Sequence, residues 1–370
     1  MKDYREISVK DIPGIKIGQT EDTEGGTGVT VFIAENPNGM PAGLSVMGGG
    51  PASRETELLK PLAAADVIHA VVLGGGSAFG LDAAGGVMKY LEEKGIGVSV
   101  GPIHVPLVVQ SDIFDLGCGS PLARPNGAMG YQACLNAEKG NYQDGNYGAG
   151  CGATVGKAHG MACCMKSGIG SYAVEKNGLY IGAVVSVNAL GDVYDQYTGK
   201  KLAGMLAEDG RSFASTEDAV IDMAVQKGYA ENTTIGIILT NAKLDKRQLC
   251  KVAAMSNDGY ARSIRPVHTN ADGDSIYAVS LGDYEAASDV IGIIAADVMA
   301  EAVKRAVINT EGAYGYPAYK DIAVRPVPDM RTMTDAELSA ELAKGMDDIR
   351  AGRTKPVDDV FDAIEKEFKL

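Results

Sequence analysis

The sequence has little from which a metal site, a disulfide framework or a membrane segment could be built. Its six cysteines (Cys118, Cys134, Cys151, Cys163, Cys164 and Cys250) show neither paired CxxC spacing nor disulfide density. They read as buried or free thiols of a reducing compartment, which predicts a cytoplasmic address. The four histidines (His69, His104, His159 and His268) form no HxH or HExxH pair. Each reads as a core or loop histidine, and no metal or cofactor is expected. No Ser/His/Asp or Cys/His arrangement stands out. No apolar run is long enough to span a bilayer, and the opening "MKDYREISVKDIPG" has no apolar centre for a signal peptide. Positive charge is also in deficit, with 34 Lys and Arg against 48 Asp and Glu, a net charge of −14 over 370 residues. The basic residues are scattered, so nucleic acid and anionic membranes are not expected as partners.

Glycine, by contrast, is plentiful, at 48 residues grouped in short loops without a fixed period. Collagen, linker and solenoid readings therefore fail. Gly loops between apolar segments point to a compact α/β domain whose backbone turns tightly or approaches a ligand. The length allows one large domain or two ordinary ones. Strand-like runs occur at "VTVFIA", "AGLSVMG" and "IHAVVLGG", and "SAFGLDAAGGVMKYLEEKG" reads as a helix. "SYAVEKNGLYIGAVVSVN" predicts a hairpin turning at Asn177-Gly178. "STEDAVIDMAVQKG" is a candidate helix capped by Ser or Thr, "TTIGIILT" a strand, "KLDKRQLCKVAAMSNDGYARSI" a helix and "DSIYAVSL" a strand. "DYEAASDVIGIIAADVMAEAVKRAVIN" is a long helix whose nearly all-apolar centre must be covered on most sides, which suggests a layered sandwich. Past about Pro328 the pattern changes. A capping box runs from Thr334 to Glu337, and two apolar stripes follow, so residues 1–328 are read as the body and 329–370 as a helical extension.

Several motifs approach known signatures and miss. "LGGGSAFG" fits neither GxGxxG in register nor the GxSxG elbow, because Phe79 stands where Gly is needed; Ser77 reads as part of a structural or pocket-lining turn. "GCGATVGKAHG" fails as a phosphate loop, with Ala158 after Lys157 where Ser or Thr belongs. A lysine among so many glycines can still stabilise a developing negative charge or tune a nearby amine. "NADGDS" fails as a calcium loop and is either a plain turn or a place where Asp272 and Asp274 face a cationic group. Two carboxylates this close shift each other's pKa unless a cation separates them. "ENTTIG" opens the strand at 233. The sequon at Asn232 is set aside by the cytoplasmic expectation. A turn, a β-branched strand start, or a nucleophile made by cutting before Thr233 remain. The last suits a chain without a suitable histidine, because the amine of an N-terminal Thr, with a pKa of about 7.7–8.0, can serve as its own base.

Six blocks in order, "MGGGPASRETELLKP", "VVLGGGSAFGLDAAGGVMKYLEEKG", "GAGCGATVGK", "GAVVSVNALGDV", "NTTIGIIL" and "ARSIRPVHTNADGDSIYAVS", resemble the DmpA-type self-processing aminopeptidases, a family that includes β-aminopeptidases and nylon-oligomer hydrolases. The resemblance runs from near the N-terminus to about residue 325. It implies an αββα sandwich similar to that of ornithine acetyltransferases, here with a short C-terminal helical extension. It also implies self-cleavage between Asn232 and Thr233, and an N-terminal-nucleophile amidohydrolase acting on short peptide or ω-amino-acid amide bonds without a cofactor. The matching motifs bring an oxyanion-stabilising role to Asn188, an active-site lysine to Lys157 and paired acids to Asp272 and Asp274. A homo-oligomer of cleaved protomers, tetrameric or larger, is implied as well. The Thr with two Asp stands closer to the nylon-oligomer hydrolases than to the Ser-dependent aminopeptidases. Asp115, in "DIFDL", is the candidate for binding a substrate amine, beside the plain reading of a helix or loop carboxylate. An acyltransferase on the same scaffold and an unprocessed binding protein are the alternative functions.

Overall fold

The computed structural model describes residues 4–223, 232–323, 334–350 and 352. Two compact units divide the chain after Ala323.

In the first unit, eleven strands form two sheets. They are β1 (Arg5–Ile7), β2 (Ile15–Asp22), β3 (Thr27–Ala34), β4 (Ala42–Val46), β5 (Ala52–Arg54), β6 (Ala70–Gly74), β7 (Val108–Asp112), β8 (Ile169–Lys176), β9 (Leu179–Asn188), β10 (Thr233–Ala242) and β11 (Ser275–Tyr284). One sheet has the order β2-β3-β6-β7-β5 and the other β1-β8-β9-β10-β11-β4. The helices of this unit are α1 (Ala83–Glu93), α2 (Gly127–Ala137), α3 (Thr216–Asp222), α4 (Lys246–Ser263), α5 (Ser288–Ile308) and α6 (Tyr319–Ala323).

Side-chain alternation along the strands creates the layers. Phe32, Val71, Leu73 and Val109 of one sheet meet Val184, Ile235, Ile237, Leu239, Tyr277 and Val279 of the other in a shared core. Their neighbours point outward. Val31, Val72 and Val108 pack on α1 and α2, and Ile181, Val185, Ile238 and Ala278 pack on α4 and α5. The result is an αββα sandwich. The apolar centre of α5, including Ile294, Val298, Met299 and Val303, is covered as its composition requires.

The two sheets share one wiring. In each, an antiparallel hairpin (β2–β3, β8–β9) is followed by an antiparallel strand (β6, β10). A helix (α1, α4) then leads to a parallel strand (β7, β11), and a short antiparallel strand (β5, β4) closes that side. A second helix follows in each half. Even the close approaches correspond. A Cβ on Gly18 of β2 would lie 2.2 Å from the Ala133 carbonyl oxygen and 2.3 Å from the Ala137 nitrogen of α2, and one on Gly170 of β8 would lie 2.2 Å from the Ala306 nitrogen and 2.3 Å from the Ala302 oxygen of α5.

Most expected elements are found, with adjustments. The hairpin turns at Asn177 and Gly178 with φ of +53° and +85°, as an Asn-Gly turn should. The helix expected from Ser77 begins only at Ala83, after a 3₁₀ stretch, Ser77–Asp82. Gly76 and Ser77 both have left-handed φ there, which a right-handed helix does not accommodate, and a Cβ on Gly80 would lie 1.8 Å from the Gly75 carbonyl oxygen. β2, β7 and α2 carry no clear sequence signal. The expected helix from 215 is seen as α3, and its continuation lies outside the described residues. In the second unit, α7 (Asp335–Arg350) starts where the capping box placed it, with the Leu338 N–H donating to the Thr334 carbonyl at 2.9 Å. The second expected helix of the extension lies outside the described residues. Among the described residues no helix is long and apolar enough to cross a membrane.

Gly18→Ala and Gly170→Ala should each destabilise the protein by about 1–3 kcal/mol, because the added methyl overlaps helix backbone. Gly85→Ala, in α1 with nothing near its would-be Cβ, should stabilise it by about 0.5–1 kcal/mol. Denaturant midpoints measured at constant m-value test the contrast.

Candidate active site

Strand register assembles the site. β9 ends at Asn188 and β10 begins at Thr233, and the antiparallel pairing sets these two residues opposite one another. Cross-strand partners share a face, and Thr233 alternates with Ile235 and Ile237, which face the core between the sheets. On the other side of β10 the parallel partner β11 pairs Ser275 with Ile235. The turn before β11 therefore runs beside the start of β10, with Asn232 bridged to Asp272. The Asn232 N–H donates to the Ala271 carbonyl at 2.9 Å, and the Gly273 N–H donates to the Asn232 carbonyl at 2.9 Å. The Thr233 hydroxyl also donates to that Asn232 carbonyl. A Cβ on Gly273 would sit 2.8 Å from Thr233 Oγ1, so only glycine leaves the hydroxyl its space.

The two acids are placed by the same turn. Asp274 Oδ1 accepts the Thr234 N–H at 2.7 Å, and its Oδ2 accepts from His268, through the backbone N–H at 3.1 Å and through Nδ1 at 2.9 Å. Asp272 Oδ2 accepts the Thr269 N–H at 2.7 Å and its hydroxyl at 2.6 Å. Burial, and then the charge of Asp274, push Asp272 up to about 6, against the pull of the Thr269 hydrogen bonds and the Lys157 charge. The shift expected where a second carboxylate stands close is seen at Asp272.

Lys157 is 2% exposed. Its Nζ donates to Asn188 Oδ1 at 2.8 Å and to the Asn188 carbonyl at 3.0 Å. Burial lowers its pKa to about 8, although Cys164, Asp272, Cys118 and Asp115 all favour the charged form. The Asn188 amide is oriented unambiguously. Its Oδ1 takes the Thr154 N–H at 3.0 Å, so the opposite atom is Nδ2, which donates to the Phe114 carbonyl at 2.9 Å. An amide held in this way keeps one N–H for a further acceptor.

Asp115 stands one residue beyond that Phe114 carbonyl. It is 3% exposed, with Oδ1 accepting the Gly76 N–H at 2.6 Å and Oδ2 the Thr27 hydroxyl at 2.7 Å. Burial raises its pKa to about 6. Glycines crowd it, and a Cβ on Gly75 would fall 2.0 Å from its Oδ2. Through these contacts Asp115 braces the loop that receives Asn188.

The site thus unites Thr233, Asn188, Lys157, Asp272, Asp274 and Asn232, with Asp115 directly behind. Sequence reasoning missed the groups that hold them. In the sequence His268 reads as an ordinary loop or core histidine and Gly273 as part of a plain turn, and Thr269 carries no signal. Lys166, fully buried with its ammonium on the carbonyls of Gly150, Ala153 and Ser167, was also overlooked. Nothing in a lone His, Thr or Gly signals such a part, because each depends on the tight turn at 268–274. Among the described residues no group of three or more His, Cys, Asp or Glu is placed to hold a metal ion.

Comparison with known proteins identifies the family and the fold. The sequence profile of peptidase family S58 matches residues 8–318. An uncharacterized aminopeptidase of Mycobacterium leprae is 36% identical over 345 residues, covering 84% of this chain and 93% of its own length. A 6-aminohexanoate-oligomer endohydrolase of a Kocuria species is 29% identical over 318 residues, covering 82% of this chain and 86% of its own. Among solved structures, the L-aminopeptidase D-Ala-esterase/amidase of Ochrobactrum anthropi, described as a variant of the Ntn hydrolase fold, aligns with a TM-score of 0.60 at 18% identity. It covers 82% of this chain and 86% of that one. The DmpA-type sandwich inferred from the sequence is therefore the fold.

A ¹³C titration of the lysine side chains should give Lys157 a midpoint near 8, well under the usual value of 10.5. Asn188→Leu removes an acceptor that binds the charged ammonium more strongly than the neutral amine, so the midpoint should fall further. A Lys157 midpoint at the usual value in the unaltered protein would contradict the burial seen here.

Proposed function

The chain belongs to peptidase family S58, and from that premise we propose that it is a self-activating amidohydrolase whose nucleophile is Thr233. The observation that carries this reading is the contact between the Thr233 hydroxyl and the carbonyl of the preceding residue, Asn232, which the Gly273 N–H polarises from 2.9 Å.

In the first step Thr233 Oγ attacks the Asn232 carbonyl carbon. Negative charge develops on the carbonyl oxygen, where the Gly273 N–H already points. Collapse breaks the C–N bond, the proton from Oγ passes to the departing nitrogen, and an ester links Asn232 to Thr233. Water then hydrolyses the ester, leaving the Asn232 carboxylate and a free Thr233 α-amine. That amine, with a pKa of about 7.7–8.0 in an unperturbed chain, becomes the proton shuttle for attack on a substrate amide.

The remaining groups divide the work. The free N–H of the Asn188 amide, on the residue opposite Thr233, stabilises the substrate oxyanion. Lys157 adds positive charge beside it. Asp272 and Asp274 orient the strand that carries Thr233 and favour its ammonium form. The relatives named as an aminopeptidase and as a 6-aminohexanoate-oligomer endohydrolase support short peptides or ω-amino-acid amides as substrates.

Intact mass spectrometry tests the first step. The wild type should yield two fragments, 1–232 and 233–370, and Thr233→Ala a single full-length chain. A wild type that stays whole on prolonged incubation would sink the proposal. Gly273→Ala intrudes on the hydroxyl of Thr233, and should slow fragment formation at least tenfold while leaving the protein folded.

A further inference from the structure

We infer that His268 is a positioning residue for the self-cleavage step, acting through Asp274 on the backbone that carries Thr233. The inference rests on Thr233 being the nucleophile. Asp274 is 1% exposed, and among the described residues its carboxylate accepts three hydrogen bonds, from two residues. Oδ1 holds the Thr234 N–H at 2.7 Å, while Oδ2 is held by the His268 N–H at 3.1 Å and by His268 Nδ1 at 2.9 Å. Among the described residues His268 is the one basic side chain within ion-pair distance of this carboxylate.

The ring's role is fixed by its surroundings. Oδ2 already accepts one N–H from His268, so Nδ1 donates to it and carries the hydrogen. Among the described residues Nε2 is buried without a hydrogen-bond partner, and the Tyr260 ring packs nearby, its centroid 6.0 Å from that of His268. His268 thus has a single polar task, and that task is Asp274. The residue also has φ of +61°, a left-handed conformation that is strained for a non-glycine residue. The two bonds to Asp274 are what hold it there.

The link to chemistry runs through Thr234. Its N–H is the first donor of β10 after the nucleophile, and it bonds to a carboxylate instead of a strand carbonyl. If Asp274 turns, the Thr234 peptide turns with it, and Thr233 Oγ1 moves against an Asn232 carbonyl fixed separately by Gly273. Attack needs the reacting atoms within about 3–3.5 Å in a defined orientation, so a small rotation is expensive in rate.

The test is a time course of precursor conversion, followed by intact mass on the full chain, for three variants checked for folding by circular dichroism. His268→Leu keeps volume and loses the donor. His268→Asn sets an amide N–H near the position of Nδ1 and tolerates a left-handed φ. His268→Gln carries its amide one carbon further, where Nε2 lies. Asparagine should convert within threefold of wild type, and leucine and glutamine at least tenfold more slowly. A purely structural role would not distinguish two amides of such similar chemistry. Leucine and glutamine as fast as wild type, or asparagine as slow as they are, would overturn the inference. If the leucine variant does not fold, the contrast between asparagine and glutamine decides. A wild type that never cleaves would remove the Thr233 reading and this inference together, whereas a cleaving wild type matched by every variant would remove this inference alone.

Discussion

The hydrogen bond from the Gly273 N–H to the Asn232 carbonyl fixes the geometry on which the site depends. It belongs to a short ladder in which Asn232, Thr233 and Thr234 lie beside residues 271–274, continuing the parallel pairing of β10 and β11 one step past the sheet. A carbonyl buried at a strand end needs a donor, and here it comes from the one residue whose missing side chain leaves room for the Thr233 hydroxyl. The same ladder brings Asp272 and Asp274 to the strand. Replace the glycine, and the donor and the space beside the hydroxyl are disturbed together.

Around this point the site is layered from the inside outward. Asn188 comes by antiparallel register from β9, Lys157 reaches it from the glycine-rich stretch between α2 and β8, and the Phe114 carbonyl fixes its far side. Burial then sets the protonation balance. Desolvation pushes Lys157 down to about 8 and Asp272 up to about 6, so both titrate within two pH steps of neutrality. Each partly restrains the shift of the other, since the two carry opposite charge.

Much of this was legible beforehand, for identifiable reasons. β3, β6, β10 and β11 are apolar runs bounded by glycine or polar turns, and the β8–β9 hairpin carries its Asn-Gly turn openly. β7 was hidden because Gln110, Ser111 and Asp112 are buried polar residues in a central strand, which defeats any hydropathy pattern. α2, "GAMGYQACLNA", was hidden because its contacts are made by glycine and alanine at close backbone approach, not by a stripe of large apolar side chains. In the site, Asn188, Lys157, Asp272 and Asp274 stood out through the resemblance of their motifs to a family. His268, Thr269 and Gly273 did not, since their parts are defined only by the turn that folds them back on Asn232.

The pairing of β9 with β10 has a topological consequence. The 232–233 bond sits directly before a central strand, which is paired with β9 on one side and β11 on the other over most of its length. A chain opened there would be nicked without coming apart. The two pieces would share one continuous sheet and two apolar cores, and no interface would need to be found after the cut, because it was folded before it. What such a nick would release is local: a new amine and a new carboxylate at the start of a strand held on both sides.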